Sequence, residues 1–101
     1  MALMNILIIP MGSASTSVGD FVADIERFLR KKKIDHSLGD MGTVVYGEVD
    51  ELCRLAAEMH NIPFTKGIER VITQITIDDR RDKQCGIGDK EQAVMTRLQQ
   101  S

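Results

Sequence analysis

The stretch Asn5–Val18 reads NILIIPMGSASTSV. It opens as an apolar run, breaks at Pro10 and Gly12, and passes through a Ser/Thr loop toward a helix. Extended back to Leu3, the run is apolar at both parities. Met4, Ile6 and Ile8 share one face, Leu7 and Ile9 the other, and Asn5 alone interrupts. A strand apolar on both sides is covered on both sides. Pro10 has no amide proton to give a ladder, so regular pairing is expected to end about there.

Downstream, Val18, Phe21, Val22, Ile25, Phe28 and Leu29 form one apolar stripe at helical spacing, predicting a helix over Val18–Lys32. Ser17 with Asp20 three residues on resembles a shortened capping box. Arg30–Lys33 suits the last turn, where positive charge complements the helix dipole. Ile34–Leu38 reads as a short edge strand, Gly39–Gly42 as a turn or bulge, and Thr43–Glu48 as a third strand. Leu52, Leu55, Ala56 and Met59 mark a second helix from Val49, interrupted near Asn61 by Pro63, with Phe64 resuming its apolar face and Lys66-Gly67 as the stop. Ile68–Asp78 is a fourth strand with Val71, Thr73, Ile75 and Ile77 as its core face, and Asp89–Gln100 is a polar tail helix with a thin stripe at Val94 and Leu98.

The order is βαββαβ plus a tail helix. It predicts an α+β, ferredoxin-like sandwich: one domain over residues 1–101, with a four-stranded antiparallel sheet, strands 1 and 3 central, and two helices on one face. The other face carries no helix, yet strand 1 is apolar there. Self-association through that open sheet face, as a dimer or tetramer, is the expected cover.

Net charge of −2 and a pI near 5.6 argue against nucleic acid, which requires a basic face. No stretch reaches the roughly 18–20 apolar residues of a membrane span, and the N-terminal run lacks the features of a signal peptide, so the expectation is a cytoplasmic protein. Cys53 and Cys85 fit two reduced thiols. His36 and His60 stand apart from any metal-ligand spacing, and neither a nucleophile–base pair nor a general acid/base pair is readable, so no metal, no cofactor and no catalysis are expected.

Several stretches together resemble the YkoF-like family of small cytosolic thiamine-binding proteins. They are Pro10-Met11-Gly12 through Ser15-Thr16-Ser17-Val18, Met41-Gly42-Thr43-Val44 with Gly47-Glu48, Arg70-Val71, and Ile77-Asp78-Asp79-Arg80-Arg81-Asp82. They span nearly the whole chain, and their order is more specific than any one of them. The resemblance implies a ferredoxin-like subunit, oligomers built by sheet packing, and binding of thiamine or its pyrimidine moiety without catalysis.

Two loops are the candidate walls of a site. Ser15, Thr16 and Ser17 offer hydroxyls and backbone groups to an aminopyrimidine, or else cap the first helix. Met41, Gly42 and Thr43 offer a cover, a close backbone approach and a hydrogen bond, or else form a bulge. Glu48 and Asp40 could balance a cationic thiazolium; Glu48 equally suits a helix N-terminus. The run Asp78–Lys83 reads as ion pairs within or between subunits rather than a metal site, because adjacent carboxylates on a strand point to opposite faces. The rival reading is a structural or regulatory oligomerisation module without a specific ligand, or a sensor of another small metabolite.

Overall fold

The computed structural model describes residues 1–12 and 18–100. The elements are β1 (Ala2–Met11), α1 (Val18–Lys31), β2 (His36–Gly39), β3 (Gly42–Gly47), α2 (Val49–Asn61), a 3₁₀ turn (Pro63–Lys66), β4 (Arg70–Asp78) and α3 (Asp89–Gln99). The strands form one antiparallel sheet in the order β2-β3-β1-β4. This is the ferredoxin-like sandwich, with β1 and β3 central.

Both faces of β1 behave as their residue types require. Ala2, Met4, Ile6 and Ile8 are buried against the helices, while Leu3, Leu7 and Ile9 are only half-buried on the other side. Phe21, Ile25 and Leu29 of α1 and Leu52, Leu55, Ala56 and Met59 of α2 close the core over Val45. Val18, at the head of the α1 stripe and in its first turn, is exposed.

Three sequence expectations change in detail. Pairing does not stop at Pro10: β1 and β4 remain in register through Pro10↔Val71 and Met11↔Arg70. On the β3 side the ladder runs only from Ala2↔Gly47 to Ile6↔Thr43. Pro10 therefore sits where β1 has a partner on one side alone, an edge-like position that tolerates a missing donor. Second, antiparallel neighbours would be expected to bring the start of strand 3 beside the end of strand 1, next to the Ser/Thr loop, but β3 starts beside the middle of β1, with Thr43 opposite Ile6. Third, Phe64 does not resume the apolar face of α2. Pro63 ends that helix and starts a 3₁₀ turn whose three-residue period shifts the phase. Pro63 is buried instead, and Phe64 lies exposed with its ring 5.5 Å from that of His60. Gly67 then closes the turn at φ 86°, a left-handed conformation natural to glycine.

On β4, Val71, Thr73, Ile75 and Ile77 share the helix-bearing face, as the alternation requires. Ile75 and Ile77 nonetheless remain 48% and 36% exposed, because among the described residues no helix lies outside α2. α3 buries none of its residues. No helix among the described residues is long and apolar enough to cross a membrane.

Candidate functional site

Antiparallel pairing sends the end of β3 and the end of β4 to the same place. Gly47 faces Ala2 and Asp78 faces Leu3, so the β3–α2 junction and the charged run after β4 meet at the start of β1. There they enclose a cleft of about 570 Å³, lined by Glu48, Asp50, Asp79, Arg80, Arg81 and Lys83 among others. That volume lies within the range of small-molecule sites.

Glu48 is the residue immediately before α2. Its side chain does not cap the helix and is 70% exposed toward the cleft, 3.8 Å from the Met1 amine. The charged run is ordered by its own ion pairs. Arg80 grips Asp82 with two bonds of 2.7 and 2.9 Å, and Arg81 reaches Asp79 at 3.2 and 2.9 Å. These contacts hold Asp82 below the usual carboxylate range and push both arginines up. The pairing within the run agrees with the sequence expectation. Among the described residues no cluster of histidines, cysteines and carboxylates is arranged to hold a metal ion, and Cys53 and Cys85 are free thiols.

Of the two predicted walls, the structure locates only the turn at Met41, Gly42 and Thr43, and it lies away from this cleft. Ser15, Thr16 and Ser17, with the cap assigned to Ser17, fall outside the described residues. Met41 is 80% exposed in the β2–β3 turn. Thr43 is 7% exposed, on the helix-bearing face opposite Ile6. Gly42, at φ 143°, has no free space above it: a Cβ there would lie 2.9 Å from the Asn5 side chain and 3.0 Å from the Ile6 carbonyl. Its close approach is to the neighbouring strand. Five residues of extended chain, roughly 16 Å, separate Thr43 from Glu48, so one subunit does not gather Met41, Gly42, Thr43 and Glu48 around one ligand.

Sequence reasoning weighed the Asp78–Lys83 run but did not join it to Glu48, and it passed over Asp50 and Gln84 as cleft residues. The signal was present in the topology. In a βαββαβ sheet with strands 3 and 4 flanking strand 1, both of their ends must converge on its start.

Fold and cleft together define a small α+β protein with a charged cleft where three segments meet at one end of its sheet. The profile of a family described as thiamine-binding protein matches residues 4–95. The chain belongs to this family. It is 39% identical over 103 residues to the UPF0045 protein YqgV of Bacillus subtilis, covering 98% of this chain and 99% of that one. A UPF0045 protein of Staphylococcus xylosus is 38% identical over 98 residues, covering 93% and 92%. Among solved structures, protein MJ1052 of Methanocaldococcus jannaschii superposes with a TM-score of 0.80 at 29% identity, covering 93% of this chain and 95% of that one. A Thermotoga maritima structure, whose description assigns it provisionally to thiamine biosynthesis or salvage, gives 0.74 at 16% identity and shares the fold.

Proposed function

We propose that this protein binds thiamine or a related aminopyrimidine without converting it chemically, to sequester, deliver or sense it. The observation that carries the reading is the thiamine-binding family match over residues 4–95. The geometry supports a site at the Glu48 cleft. A thiazolium cation is attracted by Glu48, Asp50 and Asp79, and the amide of Gln84 offers both a donor and an acceptor to a pyrimidine edge. Arg80 and Lys83 at the same cleft provide charge for a phosphate ester of the ligand. Met41, Gly42 and Thr43 belong to the site only if a second subunit brings them to it. Self-association through the open sheet face is part of the proposal. Leu3, Leu7, Ile9, Val44 and Tyr46 lie half-buried there, and Ile72 is exposed beside them.

The test is thermal unfolding and calorimetric titration with thiamine, thiamine phosphate and the free pyrimidine moiety. Ligand at 100 times its dissociation constant stabilises by about 2.7 kcal/mol. Absence of both heat and stabilisation at millimolar concentrations of all three sinks the reading.

A further inference from the structure

α3 buries none of its residues, yet Val94, Met95 and Leu98 form an apolar stripe along it, all three exposed. On the helix-bearing face lies an apolar groove of about 420 Å³ between α2 and β4, lined by Cys53, Ala57, Ile75 and Ile77 among others. Helix stripe and groove are each uncovered among the described residues, and the segment 79–88 joins them in one chain. The topology relates them further. β3 and β4 run the same way, both antiparallel to β1. The chain leaving β3 returns over the sheet as α2. A helix that leaves β4 in the same sense returns over β4, on the outer side of α2. The lengths agree: α3 has 11 residues, about 16 Å of helix, and the exposed stretch Thr73–Ile77 is about 13–16 Å of strand.

We propose that α3 is a strap that swings about Gly86-Ile87-Gly88 and lays its Val94–Leu98 stripe into the α2–β4 groove of its own chain, covering Ile75 and Ile77. Removing both apolar surfaces from water drives the closure. What holds α3 in the open arrangement is polar and weak. Lys90 Nζ lies 3.3 Å from Asp78 Oδ2 in an exposed pair, and the Gly86 amide donates to Asp89 at 2.6 Å within the hinge itself. Hinges are a few residues at the end of an element that absorb the backbone change, and Gly88, at φ 85°, stands immediately before α3. The segment 79–88 reaches about 33 Å when extended, enough to step from the sheet layer to the helix layer. A tether of this length holds stripe and groove at an effective concentration on the order of millimolar, which favours the chain's own groove over that of a second copy in dilute solution. The same segment carries Arg80, Arg81 and Lys83 of the Glu48 cleft, so strap and cleft share one arm. The closure covers side chains, leaves the main-chain edge of β4 free, and does not depend on the ligand reading.

Disulfide trapping on the full chain tests it, with the native Cys53 as the thiol on the groove side. In a Cys85→Ser background, Val94→Cys and Leu98→Cys place thiols one turn apart on the stripe, and Thr96→Cys places one on the opposite side of α3. On mild oxidation the faster of the two stripe variants should form an intrachain disulfide at least tenfold faster than Thr96→Cys, at a rate independent of protein concentration. No excess over Thr96→Cys overturns the proposal. A covalent dimer in place of the intrachain bond overturns it as well, by assigning the stripe to a second copy. The native thiol gives a second readout without introduced cysteines. In the same Cys85→Ser background, Val94→Glu with Met95→Glu should let iodoacetamide alkylate Cys53 several-fold faster, because the charged stripe no longer closes over it. Both positions are exposed, so the changes leave the core intact. An unchanged rate, or an acceleration that disappears on tenfold dilution of the protein, overturns the closure.

Discussion

His36 Nε2 lies 2.9 Å from Oε1 of Glu26, tying the edge strand β2 to α1. The other ring nitrogen donates to the Ile34 carbonyl at 2.6 Å. Neither a carbonyl nor a carboxylate has a proton to give, so the geometry suits an imidazolium facing a carboxylate. Burial alone pushes the His36 pKa down and is its largest single influence. The bonds to Ile34 and Glu26 outweigh it, and the net direction is up. Glu26 moves down, first through the His36 bond and against its own desolvation.

This pair makes stability depend on pH in a defined sense. A raised histidine pKa contributes fully below its unfolded value of 6.5 and is lost as pH rises through the folded value. A lowered carboxylate pKa contributes above its unfolded value of 4.5 and is lost as pH falls through the folded one. The contribution is therefore greatest between those two unfolded values. Glu26→Gln should cost about 1–2 kcal/mol near pH 5.5 and distinctly less at pH 8, measured by urea unfolding at both. A larger cost at pH 8 would contradict the assignment.

Gly42 should resist even alanine. Its φ of 143° is unfavourable for a side chain, and a Cβ would meet Asn5 and the Ile6 carbonyl. Gly42→Ala is expected to cost about 1–3 kcal/mol in chemical denaturation. Adding Asn5→Ala should recover only part of this, because the carbonyl at 3.0 Å remains.

The two ends of the α1 stripe should respond differently to truncation. Leu29 is fully buried, and Leu29→Ala should cost about 2–5 kcal/mol. Val18 is 62% exposed, and Val18→Ala should stay within about 0.5 kcal/mol. Equal losses at both sites would mean that a surface other than the described residues covers Val18.

Glu48 tests the charge component of ligand binding. Glu48→Gln should weaken thiamine binding several-fold at low ionic strength and by less at high salt, where an exposed charge is already screened. Calorimetric titration at two salt concentrations reads both effects. Binding of the neutral pyrimidine moiety should change little. Equal loss for cation and pyrimidine would assign Glu48 a hydrogen-bonding role instead.

Arg81 is 86% exposed and pairs with a half-buried Asp79, and its removal should cost no more than about 1 kcal/mol. If Arg81→Ala nevertheless weakens binding of thiamine phosphate, the run after β4 serves the ligand rather than the fold.

Local chemistry is what the sequence by itself determined. The alternation of β1, the stripes of α1 and α2 and the breaks at Pro63 and Gly67 each follow from period and backbone preference over a few residues. Together they were enough to specify βαββαβ and its strand order. The tertiary structure decided what depends on register. Thr43 lies beside Ile6 rather than near the end of β1, because β3 is six residues long and β1 ten. That difference separates Met41, Gly42 and Thr43 from Glu48 and turns Gly42 toward Asn5. It also leaves β1 from Leu7 onward paired only with β4. The cleft had the same origin: Glu48 and Asp79 lie thirty-one positions apart in sequence and become neighbours only when two antiparallel strands finish on the same end of a third.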